Sequence, residues 1–161
     1  MSLIAKNYKR IMDKVTEAAL SAGRSPEEVR LVAVTKTVGR EEVRRAISLG
    51  LTDFGENRLQ EALPKFQEFP EVNWHFIGHL QSNKANDVIR YCTLIHSLDR
   101  LSLARAIQRS GERLGKQVKC LVQVNISGEQ SKHGLAPEEL PDFLAVLKKD
   151  FSRIKVSGLM G

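Results

Sequence analysis

Short apolar β-type runs alternate regularly with amphipathic helical segments, and this alternation constrains the fold more than any other feature of the sequence. The candidate strands are residues 31–36, 52–55, 74–78, 93–98, 119–126 and 154–160. Helical patterns occupy residues 40–49, 57–68, 82–90, 100–114 and 137–149. Near-continuous apolar strands separated by amphipathic helices predict an α/β fold with a parallel sheet, either doubly wound or closed as a barrel.

The residues that follow the strands favour a barrel. Polar side chains stand at the exit of strand after strand, namely Lys36, Glu56 with Asn57, Gly78 with His79, His96 with Ser97, and Asn125 with Ser127. A (β/α) TIM-type barrel assembles its active site from such strand ends. The glycine-rich phosphate loops of dinucleotide-binding and P-loop folds are absent from the sequence. We therefore predict a (β/α) barrel with about six of its eight strands present.

The chain length fits one domain. Its 161 residues, 42% of them hydrophobic, can bury one core, so we expect a single barrel domain over residues 1–161 that is incomplete at its C-terminal end. Ile4, Tyr8, Ile11 and Val15 recur at helical spacing, which predicts an amphipathic helix over residues 3–20 at the start of the domain.

The net charge of +6 raises the question of a nucleic-acid partner. Arg105, Arg109 and Arg113 would share one stripe of a helix, but aromatic residues make up only 6% of the chain and none is interleaved with the basic clusters. We therefore expect a solvated basic face and no nucleic acid. The sequence has no secretory h-region and no membrane-spanning apolar run, and its two cysteines lack CxxC spacing, so we expect no membrane association and a cytoplasmic location.

Lys36 is the candidate nucleophile. Strand periodicity places it on the same side as Val32 and Val34, at the end of an apolar strand. A snorkelling lysine at a strand end explains this position equally well. Alternatively, partial burial among apolar neighbours would favour the neutral amine, which forms Schiff bases with carbonyl groups, and this makes pyridoxal phosphate a natural cofactor.

Three other segments carry candidate site residues. Asn57 could cap the following helix or donate to a ligand, with capping the stronger expectation. His75 and His79 would lie about 13 Å apart along a strand, too far to share a metal ion, so we expect no metal; His75 would be a hydrogen-bonded interior residue and His79 a wall of the site. The polar segment 125–134 is either an ordinary loop or a lid over the pocket.

Six strings of the sequence resemble successive motifs of the YggS/PROSC family of pyridoxal phosphate homeostasis proteins. In order, they are LVAVTK, FGENRLQE, WHFIGHLQSNK, HSLDR, VQVNISGEQSKHGL and GLM, and they run from Leu31 to Gly161. The resemblance implies an alanine-racemase-like barrel that holds pyridoxal 5'-phosphate as a Schiff base on Lys36, with Asn57 and His75 at family motif positions. We further expect Gly78, His79 and Ser127 to border the cofactor.

The function implied by this resemblance is intracellular homeostasis of pyridoxal phosphate, without catalytic residues or turnover. The alternative is a pyridoxal-phosphate-dependent amino-acid racemase. Apo-enzymes that need pyridoxal phosphate are the further partners that we expect.

The resemblance also implies a difference in length. Family members continue for some two further strands, which hold the cofactor phosphate and face its pyridine nitrogen. Full-length members are monomers. An open six-stranded sheet would either associate through its edges at 31–36 and 154–160 or be much less stable than a longer chain, and it would hold the cofactor weakly.

Overall fold

A parallel sheet flanked by helices makes up the protein in a computed structural model that describes residues 2–129 and 131–161. Its strands are β1 (Ala33–Val34), β2 (Asp53–Glu56), β3 (Asn73–Phe76), β4 (Cys92–Leu98), β5 (Val118–Gln123) and β6 (Ile154–Met160). Its α-helices are α1 (Leu3–Ser21), α2 (Arg40–Ser48), α3 (Leu59–Glu68), α4 (Ala85–Tyr91), α5 (Leu101–Leu114) and α6 (Leu140–Asp150).

The strands lie in the sheet in the same order as in the chain. Each neighbouring pair from β1 to β6 is parallel, and a helix follows each of the first five strands. A doubly wound sheet would reverse its strand order at a switch point, whereas a (β/α) barrel keeps the order sequential. The barrel-type α/β fold expected from the sequence is therefore confirmed, with β1 and β6 at the two edges of the described sheet.

The side chains of β2 and β3 point alternately to the face of the sheet that the helices cover and to the opposite face. Phe54 and Trp74 face the helices, where Trp74 packs against Phe66 of α3 with ring centroids 5.0 Å apart. Burial of each such side chain contributes on the order of 1.5–3 kcal/mol. Gly55 and His75 point to the opposite side, which is the interior that a barrel sheet encloses.

Two boundaries differ from the predicted ones in ways that affect the site. The strand predicted over 31–36 contains only Ala33–Val34, because the chain enters a turn directly after Thr35. The helix predicted from residue 57 begins at Leu59, with Arg58 at the N-cap. Lys36 and Asn57 therefore both lie in loops beyond the carboxyl ends of their strands.

Within the described residues, no helix has the length and apolar character needed to cross a bilayer. Both cysteines are free thiols, Cys120 buried and Cys92 half-buried. Burial raises the pKa of Cys120 to about 12 and also raises that of Cys92, so both thiols stay protonated at neutral pH.

Candidate cofactor site

A buried polar cluster fixes the ends of β1 and β2 against α3. Thr35 donates its hydroxyl to Glu56 Oε1 at 2.7 Å. The Lys65 ammonium donates to the same oxygen at 2.7 Å and to the Thr35 carbonyl at 2.6 Å. Two of these bonds involve Thr35, and its amide also donates to the Gly55 carbonyl at 3.0 Å, so the residue immediately before Lys36 is held inside the protein.

The Lys36 side chain itself is exposed. The partial burial that would favour a neutral amine is not observed, because the turn after Thr35 carries Lys36 out of the sheet. The described residues give it no ion-pair partner. Its amine is thus accessible at the carboxyl edge of the sheet.

Asn57, Gly78 and His79 come together beside this edge. Asn57 does not cap α3, because Arg58 is the N-cap residue of that helix, which begins at Leu59 and has no side-chain cap. A Cβ at residue 78 would lie 2.4 Å from the Asn57 carbonyl oxygen, so only glycine permits the close approach of these two loops. Asn57 and His79 line a cleft of about 470 Å³ with Arg58, Gln81 and Lys84.

His75 is an interior residue of β3, hydrogen-bonded at both ring nitrogens as the sequence predicted. Its Nε2 is 2.9 Å from Asp53 Oδ1, and its Nδ1 is 2.9 Å from His96 Nε2. Burial raises the pKa of Asp53, but hydrogen bonds from Thr52 and His75 and the charge of Arg30 more than reverse this and keep it below its usual value. Burial, reinforced by His75, lowers the pKa of His96 to about 4.

Ser127 lies in the loop between β5 and α6 and borders a different cleft, of about 570 Å³, formed with Asn125, Lys132, His133 and Met160. Its hydroxyl donates to Asn125 Oδ1 at 3.2 Å. The two clefts adjoin where the His133 ring of this loop stacks on His79, with centroids 4.0 Å apart. Gln130 of the predicted lid segment falls outside the described residues.

Several residues of this region escaped the sequence analysis. The sequence analysis noted Glu56 only as a strand-exit residue. Because it comes two residues after Phe54 in β2, it lies on the same helix-facing side of the strand. A carboxylate buried there needs a partner such as Lys65. Asp99 and His133 approach His79 from two other loops. No spacing rule connects residues so far apart in the chain.

The comparisons with known proteins agree with this geometry. The sequence model of the "Alanine racemase, N-terminal domain" family matches residues 3–161. An alanine racemase from Clostridium difficile superposes with a TM-score of 0.70 over 93% of this chain and 38% of its own, and at 16% identity this likeness concerns the fold alone. The sheet, with a lysine beyond its first strand, thus defines an alanine-racemase-like N-terminal domain.

Two relatives are more specific. A "Pyridoxal phosphate homeostasis protein" of Pseudomonas aeruginosa is 44% identical over 162 residues, which cover 99% of this chain and 70% of the relative. PipY of Synechococcus elongatus, solved with PLP bound, is 34% identical with a TM-score of 0.76, over 91% of this chain and 68% of its own. The chain belongs to the family of pyridoxal phosphate homeostasis proteins.

Proposed function

We propose that the protein binds pyridoxal 5'-phosphate and serves in its homeostasis, with Lys36 as the residue that bonds to the cofactor. The observation that carries this proposal is the 44% identity to a pyridoxal phosphate homeostasis protein over 99% of the chain. The structure of PipY with PLP bound, at 34% identity, supports the same cofactor.

The chemistry of the residues present fits this cofactor. When bound, pyridoxal phosphate supplies an electrophilic aldehyde that a lysine amine can attack. Lys36 offers an accessible amine, and the buried contacts of Thr35 fix the backbone from which it extends. The side-chain amide of Asn57 is free of the capping role and lines the adjoining cleft, where it is available to a ligand oxygen.

The positions of the tyrosines favour a carrier over a racemase. A racemase needs acid and base groups on both faces of its substrate, and tyrosine often supplies one of them. Tyr91 ends α4, immediately before the first residue of β4, and its ring stacks on Phe66 at 5.6 Å. Tyr8 lies on α1. Neither tyrosine follows a strand at the carboxyl edge of the sheet, so we propose that the protein does not turn over amino acids.

We further propose that the protein acts in the cytoplasm and passes pyridoxal phosphate to apo-enzymes that need it. The two free thiols are compatible with a reducing compartment. The accessible position of Lys36 suits a cofactor that has to be released as well as held.

Reduction with borohydride tests the role of Lys36. After incubation with pyridoxal phosphate and reduction, peptide mapping should find the pyridoxyl group on Lys36, and Lys36→Ala should lose the visible absorption band of the bound cofactor. Lys84→Ala removes a lysine that lines the neighbouring cleft and should keep the band. Labelling at Lys84 or Lys132 instead would show that the assignment is wrong.

Hydrogen exchange at Cα tests the absence of turnover. Alanine incubated with the loaded protein in D₂O should gain no deuterium beyond the rate of free pyridoxal phosphate. Conversion of L-alanine into D-alanine with deuterium at Cα, at about 1 per second or faster and thus within the ordinary range of enzymes, would contradict this proposal and favour the racemase.

A further inference from the structure

We propose that His79, Asp99 and His133 form a binding site for a divalent transition metal ion such as Zn²⁺. One ligand atom from each residue lies within 4.8 Å of the other two. The three residues belong to three separate loops, which follow β3, β4 and β5 at the carboxyl edge of the sheet. Two imidazoles and one carboxylate are a ligand set that Zn²⁺ and similar ions accept, leaving further positions for water.

The distances are close to those of a metal centre. In a tetrahedral site with bonds of about 2.1 Å, neighbouring ligand atoms lie about 3.4 Å apart. His79 Nδ1 is 3.9 Å from Asp99 Oδ2, and the two imidazole rings stack at 4.0 Å with 22° between their planes. Small side-chain rotations that move the ligand atoms by about 1 Å and tilt the stacked rings apart would place all three atoms around one ion.

Asp99 is held ready for such a role by Arg100. The Arg100 guanidinium donates to Asp99 Oδ1 at 2.7 Å and to the Leu80 carbonyl at 2.6 Å. These bonds engage one carboxylate oxygen and leave Oδ2, the oxygen nearer His79, for a ligand. Outer hydrogen bonds of this kind orient the carboxylates of metal sites.

The loop that carries His133 is held by contacts of Asn125 with residues before and after His133. The side chain of Asn125 donates to the Glu129 carbonyl at 2.8 Å and accepts from the Gly128 amide at 3.1 Å. Gly134 has φ +123°, and a Cβ there would lie 2.6 Å from the Asn125 nitrogen. The loop therefore approaches Asn125 in a conformation that only glycine adopts easily, and this places His133 on His79.

The two imidazoles are available as ligands. Among residues 2–129 and 131–161, the hydrogen bonds to imidazole nitrogens involve His75 and His96 rather than His79 or His133. Burial lowers the pKa of His79, with the charges of His133 and Arg100 adding to the effect against Asp99.

Titration of the untagged chain with Zn²⁺, followed by NMR of its four histidine rings, tests the site. We expect one equivalent to shift the ring signals of His79 and His133 and to leave those of His75 and His96 in place. His79→Gln and His133→Gln should each weaken Zn²⁺ binding tenfold or more. Ser131→Ala changes an exposed residue of the same loop without removing a ligand and should bind Zn²⁺ as the unchanged chain does.

Three results would overturn the proposal. They are the absence of saturable Zn²⁺ binding, unchanged affinity in His133→Gln, and equal competition by Mg²⁺, which prefers oxygen ligands. His133 is exposed, so its substitution tests ligation without threatening the fold. The readout does not use pyridoxal phosphate, so its outcome is separate from that of the Lys36 experiment.

Discussion

The side chains of Asp53, His75 and His96 form a hydrogen-bonded chain across three neighbouring strands. An ionised Asp53 accepts from His75 Nε2–H. A neutral His75 then has only an acceptor at Nδ1, so His96 must donate from its Nε2. Burial disfavours the charged form of the His96 imidazole, and His75 beside it adds to this effect, which is why the pKa of His96 is lowered.

The hydrogen-bonded series of Asp53, His75 and His96 predicts a loss of stability in mild acid. His96 has a pKa of about 4 in the folded protein against 6.5 ordinarily, so the unfolded chain binds more protons between these values. The free energy of unfolding should therefore fall as the pH is lowered through this window, by about 1–2 kcal/mol after allowance for solvent screening. Urea unfolding at neutral pH and at about pH 4.5 measures it.

His96→Asn provides the control, since it removes the titrating imidazole and should flatten the dependence on pH, apart from a smaller contribution of His79. The prediction would be contradicted if the free energy of unfolding of the unchanged protein depended on pH as little as that of His96→Asn. An NMR titration of His96 near its ordinary pKa would contradict it as well.

The sequence predicted the interior position of His75 but not its hydrogen-bond partners. His75 was predicted to be a hydrogen-bonded interior residue of its strand, and the structure confirms this. Its partners Asp53 and His96 depend on the register between strands, which no local pattern encodes. Asn57 was expected to cap a helix because asparagine favours that position. In the structure the Asn57 backbone packs tightly on Gly78, and the helix begins at Leu59 with Arg58 as its N-cap.

At the scale of elements, Thr35, Glu56 and Lys65 join β1, β2 and α3 in the interior. The Lys65 side chain is 7% exposed and the Glu56 side chain not at all, so each charge depends on the other for compensation. Glu56 Oε2 has no hydrogen-bond partner among the described residues, so the carboxylate is bound through one oxygen. Loss of Lys65 would leave this carboxylate without a counter-charge.

Lys65→Met should accordingly lower the free energy of unfolding by about 3–5 kcal/mol. The double variant Glu56→Gln/Lys65→Met removes both charges and should recover part of that loss. Gln67→Met, on the exposed side of the same helix, should change stability by no more than about 0.5 kcal/mol. Denaturant unfolding compares the variants, and a loss as small in Lys65→Met as in Gln67→Met would exclude a stabilising role for the pair.

The elements themselves were more predictable than their side-chain partners. The predicted strand over 154–160 and the helix over 100–114 match β6 and α5 within a residue, and the helix has an uninterrupted apolar periodicity. β1 is much shorter than predicted, because the apolar pattern continues through residues that lack ladder partners. The alternation of strand and helix predicted the parallel sheet, and the polar residues at the strand exits favoured the sequential order of a barrel over the reversed order of a doubly wound sheet.

At the scale of the whole molecule, the sheet ends in two strands that pair on one side only, β1 and β6. Val34 is 51% exposed and Leu159 is 55% exposed. Leu159 pairs with Val122, which is fully buried on the helix side, so Leu159 is an apolar residue of that side left uncovered by the described residues, whereas Ile154 and Val156 of β6 pack partly against the core. Unpaired strand edges with exposed apolar side chains promote association.

We therefore expect a protein of these 161 residues to self-associate as its concentration rises, as measured by sedimentation. Leu159→Lys should weaken the association about tenfold, because it places a charge on the uncovered apolar side of β6. Leu3→Lys, at a 73% exposed apolar residue of α1, should leave it unchanged. With a net charge of +6 on every copy, added salt should strengthen association through apolar edges and would weaken association through ion pairs. A monomer at all concentrations, or equal effects of the two lysine substitutions, would show that the edges of the sheet do not drive contact between chains.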